Sequence, residues 1–335
     1  MLKTIRAGSI ISVAAAALLL ALLLACALGA VDIPLKMLWQ MAGCAFSSGD
    51  DGCSSLAVYQ QIVWQLRIPR LLLALLTGAG LAICGLVLQV MTRNPLADPY
   101  LFGISAGAAL GAVVVNLFIP VVGTNIGAFV GAMLAIGLMI TLAGYAAVLS
   151  VERLLLSGVA VSFMLSALTS LVLFYADPSA ASSLLFWLMG SFSAAQWSHL
   201  PWPALVVALS FGCFFVYSRW LSAIFMGEES AMTLGIPVAR LRLAMLGLCA
   251  LVTAILVSYS GGIGFVGLMV PHIARYLVGV QMRFLLVLSA LIGGAFMVLV
   301  DLLARTTLEH QVLPIGAVTS VVGSVFFFIV LKRRA

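Results

Sequence analysis

The chain has 335 residues, of which 64% are hydrophobic and only 8% charged. A soluble globular domain carries about 25% charged residues, so a water-soluble enzyme is excluded and a helical protein spanning the membrane many times is indicated. The net charge of +6 comes from dispersed basic residues rather than a patch, which argues against a nucleic-acid partner.

Read from the N-terminus, "MLKTIRAGSIISVAAAALLLALLLACALG" offers a charged start and a lipobox-like Leu23–Cys26. Its apolar run is nevertheless longer than a signal-peptide core and reads as a retained first helix. Hydropathy places about ten spans at 8–30, 66–91, 100–122, 126–149, 154–175, 202–222, 243–260, 263–280, 284–303 and 313–331, in one all-α domain over 1–335. The first connecting loop carries Cys44 and Cys53. If it faces an oxidising compartment the two can pair, and with no histidine beside them a metal site is not indicated. Cys26, Cys84, Cys213 and Cys249 fall in spans and read as small hydrophobes.

The second span begins at Arg67-Ile-Pro-Arg70 and ends in a polar turn, Arg93-Asn-Pro-Leu-Ala-Asp98-Pro. Proline and charge stop the helix there. Gly103, Gly107 and Gly111 then repeat every four residues, a spacing that lets helix backbones approach closely. The fifth span holds Ser157, Ser162, Ser166 and Ser170 among small residues. Serines in an apolar helix commonly bond the carbonyls of their own helix. The stretch 178–200 is too mixed for a full span and reads as a short surface or re-entrant helix, about 180–195, with a loop.

The longest connection on the side of the termini, 226–242, starts with Glu228 and Glu229 and ends with Gly235, Pro237, Arg240 and Arg242. That pattern fits a short helix begun near Glu228 and stopped at Gly235, or an ordinary solvated connector. Later come Asp301 and Arg305 at a span end, and His199, His272 and His310, whose scatter points to structural roles. Of the 16 Lys and Arg, Lys36, Arg67, Arg70 and Arg305 fall on one side and the other twelve on the side of the termini, which puts both termini in the cytoplasm. No Gly-Lys pair occurs, so the phosphate-binding loop of an ATPase is missing. Charges sit at span ends, which weakens the alternative of an ion-coupled secondary carrier for a small polar solute.

The segments "RIPRLLLALLTGAGLAICGLVLQ" (67–89), "RNPLADPYLFGISAGA" (93–108), "FWLMGSFS" (186–193), "GEESAMTLGIPVARLR" (227–242), "GFVGLMVPHIAR" (264–275), "DLLAR" (301–305) and "LPIGAVTSVVGSVFF" resemble, in order and spacing, the permease subunits of the FecCD family. The resemblance implies a type II ABC importer fold in the bacterial inner membrane. It further implies a second permease copy, most simply a homodimer, with a translocation path at the interface, and no catalytic chemistry on this chain. A separate ATPase would use ATP and Mg²⁺ on the cytoplasmic side, and a periplasmic binding protein would deliver a ferric siderophore, haem or cobalamin. Residue by residue, it implies ATPase coupling by Glu228, Glu229, Leu234, Gly235, Ile236, Pro237 and Arg240. Docking of the binding protein would fall to Arg67, Arg70 and Arg305, and Ser157, Ser162 and Ser166 would line the path. No cofactor or metal is implied for the chain itself.

Overall fold

A computed structural model describes residues 2–29, 33–46, 56–144, 151–308 and 311–332. The described residues are helices joined by turns. In chain order these are α1 (Leu2–Ala27), α2 (Leu35–Phe46), α3 (Ala57–Gln61), α4 (Ile68–Met91), α5 (Ile104–Phe118), α6 (Thr124–Ala143), α7 (Val151–Phe174), α8 (Pro178–Leu188), α9 (Pro201–Val216), α10 (Ser218–Met226), α11 (Glu228–Thr233), α12 (Val238–Ser260), α13 (Val266–Val278), α14 (Met282–Thr306) and α15 (Ile315–Lys332). Among the described residues, seven helices are long and apolar enough to cross a bilayer, and the shorter apolar α5, α13 and α15 occupy the remaining expected positions.

The centre of the bundle is α4. Its span is 78% buried, against 17% for α1 and 22% for α7, and α14, α12, α13 and α9 pack round it. Lipid offers helices no hydrophobic reason to associate, so close backbone contact must hold them. A Cβ placed on Gly85 would meet the Gly267 carbonyl of α13, and one on Gly78 the Gly293 carbonyl of α14. The four-residue glycine spacing read from the sequence performs the same task between α5 and α6, where Gly107 faces Gly131 and Gly111 faces Gly127.

Local chemistry moves several expected boundaries. The span expected at 202–222 ends at Val216, and the chain turns at Tyr217 into the separate surface helix α10. The span expected from residue 100 opens instead with a 3-10 turn, Pro99–Phe102. Hydropathy also passed over α2, because a short amphipathic helix carries no long apolar run. The residues Ile62–Arg67 between α3 and α4 form a π-helical turn. Pro69 has no N–H to give the carbonyl five residues back, that of Trp64. The indole N–H of Trp197 donates to that carbonyl instead, at 2.9 Å, and the two Trp rings lie 5.2 Å apart.

Gly85→Leu is expected to cost about 3 kcal/mol or more by forcing α4 away from α13. A thermal melt of the purified protein in detergent checks this, with Gly247→Ala, where a Cβ meets nothing, as the unaffected control.

Candidate functional site

Three features of the bundle carry polar chemistry: the two ends of α4 and a cleft beside α7. At the α3 end, Arg67 and Arg70 come from the start of α4, and Asp301 and Arg305 from the last turns of α14. Arg70 Nε donates to Asp301 Oδ1 at 2.8 Å and Oδ2 at 3.1 Å, and Arg305 Nε lies 3.5 Å from Asp301 Oδ2. Arg67 donates to the carbonyls of Cys26 and Ala27, and Arg305 to that of Ala25. These are the orphan carbonyls that end α1, where the helix dipole favours cations. The three arginines therefore come together, as an inward-turned cluster. Arg67 is 5% exposed, the Arg70 and Arg305 side chains 13% and 10%, and Asp301 is fully buried. Three cations against one carboxylate leave the cluster itself net positive.

At the other end of α4 the chain folds over itself. Arg242, 1% exposed, donates through Nε to the Met91 carbonyl at 3.2 Å and pairs with Glu228 at the start of α11. One buried guanidinium thus ties the short helix to the terminus of α4. Two residues earlier, Gln89 gives its amide N–H to the Gly267 carbonyl at 3.0 Å and accepts from Arg275. The helix α11 runs Glu228–Thr233, close to the limits read from the sequence. It stops as that reading requires: Gly235 takes φ +76°, its N–H bonds Met232 O at 2.9 Å, and the Ile236 N–H bonds Ala231 O at 3.1 Å. That pair of bonds closes a helix terminus that only a residue tolerant of left-handed φ completes without strain. Large apolar side chains stand exposed on and beside it, Met226 at 74%, Met232 at 56% and Leu234 at 70%. Glu229, Gly235, Pro237 and Arg240 are exposed with them, while Ile236 is buried.

The third feature is a cleft of about 450 Å³ between α5, α7, α8 and the α12–α13 junction. Ser162, Ser166, Thr169 and Ser170 face it from α7, Ser105 and Ala109 from α5, and Tyr100, Trp187 and Gly262 close it. Ser157 does not reach the cleft and donates to Leu154 O at 3.0 Å. Ser162 and Ser170 also bond carbonyls of their own helix, so the wall offers weak polarity and no fixed charge. The irregular segment 260–264 beside it is satisfied within the protein. The Ile263 N–H donates to the Tyr100 hydroxyl at 2.8 Å and Ser191 N–H to Ser260 O at 2.9 Å, as backbone away from water requires.

The turn between α4 and α5 buries Asp98, whose Oδ1 accepts the Tyr100 N–H at 2.8 Å. Burial pushes its pKa up to about 6, partly offset by that hydrogen bond. His199 lies tilted against the Tyr259 ring at 5.3 Å, and His272 meets the Phe326 ring edge-on at 5.8 Å. His310, Cys53 and the side chain of Cys44, hence the anticipated disulfide, lie outside the described residues. Among the described residues no three His, Cys, Asp or Glu side chains converge. Sequence reading missed Arg242, Gln89, Arg275 and Asp301 as organisers. The available signal was a polar or charged residue inside an apolar helix, each of which needs a buried partner.

The model of the FecCD transport family matches residues 17–333. The chain is 40% identical to a cobalamin import system permease of Halobacterium salinarum, over 82% of this chain and 74% of that one. It is 38% identical to a Helicobacter pylori protein named as an iron chelatin transport system permease, over 84% of each. To a hemin transport system permease of Yersinia pestis it is 34% identical, over 81% and 84%. A solved metal-chelate type ABC transporter in an inward-facing conformation superposes with a TM-score of 0.85 at 30% identity, covering 97% of this chain and 99% of that one.

Asp98 generates a pH prediction. Its raised pKa means that the folded protein holds a proton that the unfolded chain releases between about pH 4 and 6. Stability from this group is therefore full below about pH 4, falls as pH rises through about 6, and stays lowered by about 3 kcal/mol above it. Asp98→Asn keeps the acceptor for Tyr100 without the buried charge. It should melt higher than the parent at pH 8, with the gain shrinking towards pH 4.5.

Proposed function

The chain belongs to the FecCD transport family, a multi-pass membrane permease of the ABC importer class, and from that premise we propose how it works. Its cargo is a bulky metal chelate: a ferric siderophore, the first expectation from sequence, or haem or cobalamin, the cargoes in its relatives' names. A cleft walled by self-bonded hydroxyls and apolar groups supports this class, because a large ligand must pass without being held by a fixed charge. Two copies would face each other to complete the path.

The observation that carries the reading is α11. A six-residue helix with Met232 exposed on it, flanked by the exposed Met226 and Leu234, is a poor solvated loop but a good plug for an apolar groove on another protein. We assign that groove to a separate ATPase subunit. Movement of α11 reaches α4 through Arg242, since Glu228 and Met91 O share its guanidinium. The opposite end of α4 carries the arginine cluster, where acidic lobes of a binding protein would dock. Exposed ion pairs contribute only about 0–1 kcal/mol each, so the cluster sets encounter rate and register more than affinity, and salt weakens it. On this reading ATP and Mg²⁺ act on the partner, both termini are cytoplasmic, and the membrane is the inner one.

Leu234→Asp and Met232→Asp together are expected to insert and fold like the parent, since both side chains face outward. They should lower affinity for the cognate ATPase by about tenfold or more and abolish chelate uptake into proteoliposomes. Unchanged ATPase affinity would remove α11 from the coupling role. Uptake of a simple solute driven by an ion gradient alone would remove the ATP-driven reading.

A further inference from the structure

On the side of the bundle that carries α11, a polar hollow of about 210 Å³ is lined by Ser218, Arg219 and Ser222 of α10 and by Gln281, Met282 and Arg283 at the start of α14. Its charge is wholly basic. Neither helix has an acidic residue in its first turn, and the nearest acids in sequence, Glu228 and Glu229, sit on α11, where Glu228 is paired with Arg242. Arg283 is held in place on one side: Nε donates to Ser218 Oγ at 3.3 Å, and the guanidinium carbon sits 5.6 Å from the centre of the Phe215 ring. Its remaining donors are left for a ligand. Arg219 is exposed and makes no hydrogen bond or ion pair with another described residue. Ser218 is 1% exposed; its oxygen accepts from Arg283, which leaves its proton to donate. The first N–H groups of α14 have no intrahelical acceptor, and its dipole adds positive potential there. Two forked cations and a buried hydroxyl around one hollow match the oxygens of a phosphate.

The surroundings select the source of that phosphate. Tyr217 and Trp220, next in sequence to Ser218 and Arg219, pack 5.3 Å apart, and Phe215, Val216 and Trp220 are 37%, 74% and 40% exposed. This is the composition of a membrane–water boundary, where amphipathic rings sit at headgroup level. On the far side of Tyr217 and Trp220 a mostly apolar groove of about 560 Å³ runs between α9 and α12, past Cys213, Leu241, Met245 and Leu248, with Arg240 on its edge. Free phosphate has no use for such a groove, whereas an acyl chain fills it. We propose that this hollow is a binding site for an anionic phospholipid of the leaflet on the α11 side, with its phosphate between Arg219 and Arg283 and an acyl chain along the α9–α12 groove. The site rests on the membrane-spanning architecture and not on the cargo or its driving force.

The test uses the full chain, delipidated in detergent and titrated with phosphatidylglycerol or phosphatidylcholine while bound lipid is counted by native mass spectrometry. The parent should retain phosphatidylglycerol at least about tenfold better than phosphatidylcholine, with inorganic phosphate only a weak competitor. Arg219→Gln with Arg283→Gln should erase that preference. Arg219→Gln alone, at an exposed side chain with no partner to lose, should reduce it in a protein whose melting is unchanged. The proposal is overturned if the parent shows no preference between the lipids or the double variant keeps it. Inorganic phosphate that binds as tightly as the lipid would reduce the hollow to a plain anion site. Loss of ATPase affinity without any change in lipid retention would give the arginines to a protein partner instead.

Discussion

Along α4 the backbone of one helix rests on the backbones of two others with nothing larger than hydrogen between them. Gly78 meets Gly293 of α14, and Gly85 meets Gly267 of α13. In lipid this contact has to come from shape, because hydrocarbon tails solvate leucine as well as a neighbouring helix does. Small residues at those points let long side chains elsewhere interlock, and the result is a rod buried over most of its length. The peripheral helices α1 and α7 are largely exposed within a single subunit, which leaves their outer faces for lipid or a second copy.

A rod of this kind is useful when both its ends are attached to something. One end holds Arg67 and Arg70, anchored on Asp301 and on the last carbonyls of α1. The other holds Met91 and Gln89, bound by Arg242 and Arg275 from α12 and α13. Each arginine is planar and forked, so it can bridge two acceptors that a lysine would reach only singly. Buried charges are costly unless they are paired. Carbonyls at helix termini receive Arg67, Arg242 and Arg305 here, and the same bonds finish helices that would otherwise end with orphan groups. Between the ends lies a cleft of low polarity. The arrangement separates binding partners, which need charge, from the path, which must lack it.

How much of this could be read in the sequence depended on the range of the interaction. The ten spans, α8 and the limits of α11 followed from composition and from local rules: an acidic first turn, a glycine stop, a proline break. The Gly107 and Gly111 spacing foretold a backbone contact but not that α6 would provide it. Arg67, Arg70 and Arg305 were picked out by the resemblance, yet their inward turn depends on Asp301, more than 200 residues away in sequence from Arg70. Arg242 was passed over for Arg240, two residues earlier in the first turns of α12. Only the fold shows that one points into the bundle, onto Met91 O, and the other into solvent. The π-turn before Pro69 was legible in principle. Its rescue by Trp197 was not, since that contact spans 133 residues.

The account stands or falls on whether α4 links the two partner-binding ends. The direct measurement is ATP hydrolysis by the complete complex in proteoliposomes, with and without loaded binding protein, for the parent and for Arg242→Lys. Lysine keeps the buried charge but cannot hold Glu228 and Met91 O together. The account predicts that loaded binding protein stimulates the parent several-fold, and that Arg242→Lys keeps basal hydrolysis while losing the stimulation. A parent indifferent to binding protein, or a variant stimulated as fully as the parent, would contradict it.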